Sequence, residues 1–302
     1  MRWWMVMMLL LATGCARAPD REAAREVARL LTQDRVEQAE SLLKQRLAEY
    51  PNSVALREQL LIIALRSEQL DAARKILGEL PQDSDALSEA LRHPNALVRQ
   101  QAARLASEQP HRVRWRALVA AMEDPVAEVR AAAARVAGRR GDRRALKPLF
   151  RLLHDGSWMV RAEAADAFAQ LGDPRAAGWL IYRLRDGDGF VRYRVATALH
   201  KLACPENQPT LRRALQLPSV REKFEVAVAL AKLDDPLALE PLAAAVTNSS
   251  VEVRRRALEA LANLSIPEAT NALVALSRDD EPQLRAAAQR ALRERIETTP
   301  RP

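Results

Sequence analysis

Enzymatic chemistry would have to come from very few side chains. The 302-residue chain holds four histidines, His93, His111, His154 and His200, and two cysteines, Cys15 and Cys204. The histidines are followed by Pro94, Arg112, Asp155 and Lys201, so no His-Glu dipeptide occurs. A Gly-rich phosphate loop, a Cys-x-x-Cys pair and a Gly-x-Ser-x-Gly nucleophile turn are also missing from the sequence. These residues predict a chain without catalytic groups, cofactor or metal.

The plentiful chemistry is ionic. Arginine outnumbers lysine 41 to 6, and the net charge is +8. The excess is local, with net charges of −3 over residues 16–90, +8 over 91–155 and +2 over 156–302. Arg130, Arg135, Arg139, Arg140, Arg143 and Arg144 are the centre of a basic block that extends to Arg112, Arg114, Arg116, Lys147 and Arg151. Such a block attracts polyanions. The export signal described below argues against nucleic acid. It favours anionic lipid head groups, an anionic envelope polymer or an acidic protein surface. A solvated face is the plainer alternative.

One set of cations is strictly periodic. Arg99, Arg130, Arg161, Arg192, Lys223, Arg254 and Arg285 recur at a step of 31 residues. A fixed period of this length is the signature of a stacked solenoid. Apolar residues precede most of these cations (Val98, Val129, Val160, Val191, Val253, Leu284). A second column follows at +3 (Ala102, Ala133, Ala164, Val195, Val226, Ala257, Ala288) and a third at +7 (Ala106, Ala137, Phe168, Leu199, Leu230, Leu261, Leu292). The three columns form one helical stripe, with small residues in the middle that let neighbouring helices approach. An apolar segment before each stripe supplies a first helix, opened by Pro174, Pro205, Pro236 and Pro267 in later copies. The fifth copy departs from the pattern. It has Leu217 and Lys223 where Asp and Arg stand elsewhere, and Glu222 in the apolar column. A bend, a joint or a docking point is expected there.

These residues resemble HEAT repeats, specifically the short HEAT-like kind of phycobilisome lyases. The Asp-x5-Arg spacing is shared by Asp124/Arg130, Asp155/Arg161, Asp186/Arg192 and Asp279/Arg285. The resemblance covers about seven 31-residue units over 83–296 and implies that the charged column knits adjacent turns together. It also points to deoxyhypusine hydroxylase, whose di-iron site uses paired His-Glu motifs, and those motifs are missing here. Upstream, Val36, Ala39, Leu42 and Leu43 return as Leu70, Ala73, Ile76 and Leu77, 34 residues on. This segment, 21–82, resembles tetratricopeptide repeats. The expected fold is all-α: a right-handed α-α superhelical solenoid of HEAT/armadillo type, with N-terminal TPR-like helix pairs. A tail over 297–302 is expected to be disordered.

The N-terminus has one basic residue and then a short apolar run, as a secretory signal does. Its end, Leu11-Ala12-Thr13-Gly14-Cys15, resembles the bacterial lipobox. The resemblance implies a signal peptide over 1–14, lipidation of Cys15 and a tether over 15–20. With Ala16 rather than Asp next, it further implies export to the outer membrane of a Gram-negative bacterium, facing the periplasm. Cys204 stands where other copies place Asp142 and Asp173, and reads as a bland substitution at a turn.

Positions three before and one after each column cation lie on the side of the helix away from the apolar stripe and should be wet. Most are bland (Ala96, Ala127, Ala131, Arg255, Ala286), but the middle copies place Trp158, Tyr193 and Phe224 there. Met159 and Phe190 sit one position along, and Arg194 is adjacent. In HEAT proteins the second helices line the concave surface, so the resemblance implies an aromatic groove with the composition of a protein-binding hot spot. Packing against adjacent repeats is the competing expectation. The function read from the sequence is a non-catalytic envelope lipoprotein that binds a protein partner. The alternatives are a HEAT-like lyase or oxidoreductase-type enzyme or accessory factor, and a structural envelope component.

Overall fold

The computed structural model describes residues 19–298. The expected signal peptide, Cys15 and most of the tether lie outside the described residues, as do the last four residues of the expected tail. Glu297 and Thr298, assigned to that tail, instead continue the last helix. Among the described residues every regular element is helical, and no helix is long and apolar enough to cross a membrane. The fold is an α-α solenoid of the HEAT/armadillo class. It divides into two compact units at Val136/Ala137.

The first unit opens with α1 (Pro19–Thr32), α2 (Val36–Glu49), α3 (Val54–Arg66) and α4 (Leu70–Glu79). Then come a short α5 (Ala86–Ala90), α6 (Ala96–Glu108), α7 (Trp115–Met122) and the beginning of α8 (Ala127–Arg140). Helix α1 buries Ala23, Val27, Leu30 and Leu31, one stripe at helical spacing. The fully buried Ala39 and Ala73 occupy the close-packed positions expected 34 residues apart. Arg112, part of the basic block in the sequence, is not available as a ligand group. It is buried beneath α4, where Nη2 donates to Leu80 O at 2.7 Å and Pro81 O at 3.1 Å, and Nη1 donates to Leu77 O. A helix C-terminus presents unsatisfied carbonyls, and a buried guanidinium from the 3-10 turn after α6 satisfies them here.

The second unit stacks five helix pairs: α9 (Leu146–Leu152) with α10 (Trp158–Leu171), α11 (Ala176–Arg183) with α12 (Gly189–Leu202), and α13 (Gln208–Ala214) with α14 (Val220–Ala231). The last two are α15 (Leu239–Ala245) with α16 (Val251–Ala262), and α17 (Glu268–Leu276) with α18 (Pro282–Thr298). The apolar columns form the core. All their members are buried except Val253 and Leu292, which are half-buried. Pro205 and Pro236 start 3-10 turns that lead into α13 and α15. Gly172 ends α10 in the left-handed conformation, φ 68°, where its N–H reaches Phe168 O. A Cβ on Gly138 would stand 2.7 Å from the Ala167 Cα, so glycine sets how closely α8 and α10 pack.

The cation column is structural, as the resemblance implies. Arg161 Nη1 donates to Asp155 O and Gly156 O of its own turn, at 2.9 and 3.2 Å. Its Nε and Nη2 both donate at 2.8 Å to Asp186 in the next repeat. Asp186 Oδ1 also accepts the Asp188 N–H, which sets the turn into α12. Burial pushes the Asp186 carboxyl up, but the Arg161 guanidinium and the Asp188 N–H outweigh it and hold the group below its usual value. The same two-carbonyl, two-oxygen rung joins Arg254 to Asp279 in the second unit and Arg99 to Asp124 in the first.

Candidate functional site

The second helices α10, α12, α14 and α16 present the face on which the sequence places aromatics. Trp158 opens α10 behind the N-cap Ser157, whose own N–H donates to Asp155 Oδ1 at 2.8 Å. Phe190 lies in the first turn of α12, its N–H held by the Asp188 cap at 2.8 Å. The two rings meet edge to face, with centroids 5.7 Å apart and planes at 86°. Each remains 50% exposed, and Tyr193, one turn further along α12, is 59% exposed. Met159 is half-buried. Arg194 lies over the Phe190 ring at 5.6 Å from its centroid and pairs with the buried Asp166 of α10. The neighbouring second helices are therefore stitched together beneath an aromatic surface that stays open to solvent.

Phe224 does not belong to that surface. It is 6% exposed, and the Arg256 guanidinium lies 5.3 Å from its ring centroid. Ala131, also expected to be wet, is buried. The angular estimate treats a helix as isolated, whereas the flank one residue past the cation faces a neighbouring second helix. Tyr193 escapes this burial. Trp179 belongs to a separate cluster on the first helices, 5.0 Å from Phe150 and 5.6 Å from the core residue Phe168.

The basic block is divided between the two units. Arg130 and Arg135 fall in the first unit and Arg139, Arg140, Arg143 and Arg144 in the second. Arg130 Nη1 is engaged by Asp124 O at 2.7 Å and Pro125 O at 3.0 Å. Arg144 pairs with Asp142 at 2.6 Å, and Arg143 approaches Asp173 at 3.6 Å. Asp173 also accepts from Arg175, whose guanidinium holds the carboxyl down at about 2. Arg135 and Arg140 are half-buried and Arg139 is exposed.

Two cavities open beside α14, and of the sequence candidates Tyr193 lines one and Phe224 the other. One, about 350 Å³, is lined by Tyr193, Thr197, His200, Val228, Arg255 and Glu259 among others. Burial lowers the His200 pKa, with Lys232 and Arg256 contributing in the same direction. The other, about 450 Å³, is walled by Val220, Phe224, Pro241, Ala244, Ala245 and Val253. The departures at Leu217, Glu222 and Lys223 mark this region, and Asn248, in the Asp position of the next copy, completes the signal. Cys204 is half-buried at its turn, and burial followed by Glu206 raises its thiol pKa. Among the described residues no three His, Cys, Asp or Glu side chains are grouped to hold a metal ion.

This stack of short helix pairs with Asp–Arg rungs is an α-α repeat protein. Residues 115–190 and 178–251 match HEAT repeats, and residues 253–279 match the PBS lyase HEAT-like repeat. No curated protein matches the chain. Among solved structures it is similar to an engineered protein at 21% identity and TM-score 0.48, covering 93% of this chain and 85% of that one. It is similar to the complex of CpcE and CpcF of phycocyanin lyase from Nostoc sp. PCC7120 at 24% identity and TM-score 0.42, covering 71% and 88%. It is also similar to a designed armadillo repeat protein in complex with the peptide (KR)4, at 21% identity and TM-score 0.45, covering 68% and 97%.

Proposed function

We propose that the chain is a non-catalytic scaffold that holds a partner protein on the second-helix face of its second unit. Trp158, Phe190 and Tyr193 anchor an extended segment of the partner, with Met159 and Arg194 shaping the floor. One observation carries this reading: three large aromatics, each half exposed or more, gather on α10 and α12. Exposed aromatic clusters beside arginine are where binding energy concentrates at protein interfaces. The helix pairs α1–α2 and α3–α4 act as a TPR-like entry segment. Cys15 carries a lipid anchor that tethers the scaffold to the periplasmic face of the outer membrane, since several acyl chains give stable attachment where one does not.

The aromatic face is tested with the double variant Trp158→Ala/Tyr193→Ala. The expected outcome is loss of the main in vivo crosslinked partner with an unchanged melting curve. Retention of that crosslink means that the aromatics only pack the repeats. Cys15→Ala is expected to abolish acyl labelling and membrane retention; retention without Cys15 contradicts the anchor. Stoichiometric iron or zinc in the purified protein would overturn the non-catalytic reading.

A further inference from the structure

The ladder of rungs is interrupted at two successive steps, and the gap leaves positive charge unmatched. Arg192 clamps its own turn through Asp186 O and Gly187 O, at 2.6 and 3.0 Å. Leu217 stands where the next turn should offer a carboxylate, and Arg192 Nε is buried with no acceptor. At the following step Lys223 and Asn248 stand at the positions that Arg and Asp hold elsewhere, and the Lys223 ammonium makes no ion pair or hydrogen bond among the described residues, its backbone N–H alone donating to Ser219 O. Arg221, exposed in the first turn of α14, has no ion-pair partner either. The two acids of α14 are already committed. Glu222 takes Arg185 through both carboxylate oxygens at 2.8 Å, and Glu225 takes Arg256 at 2.9 Å.

The cavity of about 450 Å³ opens at this gap. Its walls are mostly apolar: Val220, Phe224, Pro241, Ala244, Ala245 and Val253. Of the charged residues that line it, Glu225 and Arg256 neutralise each other, so Arg221 is left as its one unmatched charge. Asn248, the neutral end of the missing rung, lies on the same lining. Val220 at the edge is 75% exposed. The volume is at the low end for ligand pockets and suits one or two apolar side chains.

We propose that this cavity is the docking point for an acidic linear segment of a protein partner. An aliphatic or aromatic side chain of that segment fills the cavity. A neighbouring Asp or Glu carboxylate pairs with Arg221. Charge complementarity selects an acidic over a basic segment, because the one unmatched charge on the cavity lining is that of Arg221. The proposal rests on the scaffold reading only in that the second unit holds a protein partner; its site is separate from the aromatic face of α10 and α12.

The test uses the full chain and a fluorescein-labelled octapeptide of alternating Asp and Leu, followed by anisotropy. Alternating Lys/Leu and Asp/Ser peptides of equal length are the controls. The Asp/Leu peptide is expected to bind at least about tenfold more tightly than either control, a difference of about 1.4 kcal/mol. Arg221→Glu should weaken it about tenfold, as should Ala244→Trp, which fills the cavity from its mouth. Asn248→Asp, which puts a carboxylate on the cavity lining, should also weaken it. Equal binding of the three peptides, or unchanged binding by a folded Arg221→Glu variant, overturns the proposal. Trp158→Ala/Tyr193→Ala separates the two readings. If that variant loses the crosslinked partner while the Asp/Leu peptide fails on the wild type, the aromatic face stands and this site falls. If the variant keeps the partner and the peptide binds as expected, this site stands and aromatic anchoring falls.

Discussion

The junction after α10 and the junction after α14 follow the same 31-residue plan and are held by different chemistry. After α10, Arg161 joins two carbonyls of its own turn to both oxygens of Asp186. After α14 the corresponding residues are Lys223 and Asn248, and an apolar cavity opens at the step. The intervening step is bridged by a substitute, the pair between Arg185 and the buried Glu222. The sequence reads Glu222 as a charge intruding on an apolar column. In the structure it is an acceptor moved to a new position. The difference teaches that one column can stabilise the stack in most copies and leave one copy free for another role.

The largest expected effect distinguishes the two junctions directly. Arg161→Ala leaves the buried Asp186 with only Arg183, 3.8 Å away, and should cost about 3 kcal/mol, read as a lowered urea midpoint. Lys223→Ala removes no rung and should stay within about 0.5 kcal/mol of wild type. Similar losses for both would remove the contrast. Glu222→Ala should fall between them, at about 1.5 kcal/mol, because Arg185 is half exposed and water screens part of the pair.

Acid sensitivity gives a smaller effect. Arg175 holds the Asp173 carboxyl at about 2, below the roughly 3.9 of an unfolded chain. A depressed native pKa contributes stability that is complete above the unfolded value and is lost as pH falls through the native one. Stability is therefore expected to decline from roughly pH 4 to about 2. Asp235 and Asp279 are also depressed: burial opposes Arg212 at the first, while Arg254 leads at the second. Asp173→Asn should make the decline shallower, measured as ellipticity against pH. An unchanged acid profile would mean that the Arg175 pair is not felt.

Much of the fold was legible because stacking repeats a local rule. The Val160, Ala164 and Phe168 stripe and its copies identify the core, and the Asp155/Arg161 spacing identifies the charged column, whereas the reach of Arg161 to Asp186 of the next copy is seen only in the structure. The site was only partly legible. Trp158, Phe190 and Tyr193 are exposed as helical angles require, whereas Phe224 is withdrawn because Arg256 of a neighbouring helix covers it. That contact depends on spacing between repeats, which periodicity does not encode. Arg112 was misplaced for a related reason: its composition reads as surface charge, and only the fold brings the Leu77 and Leu80 carbonyls to it. The apolar cavity arises from residues on three elements, α14, α15 and α16, and no single stretch announces it.

Hydrogen–deuterium exchange of the full chain, compared with Leu217→Asp/Asn248→Asp, tests most directly whether the missing rungs loosen this part of the stack. In the wild type, amides of α14 and the turn before α16 should exchange faster than those of α10 and the turn before α12. The double variant gives Arg192 and Lys223 their acceptors and should slow the first set about tenfold, leaving the second unchanged; that corresponds to about 1.4 kcal/mol of local stability. Equal protection of the two regions in the wild type, or no slowing in the variant, would contradict a ladder that is strong at Arg161 and open at Lys223.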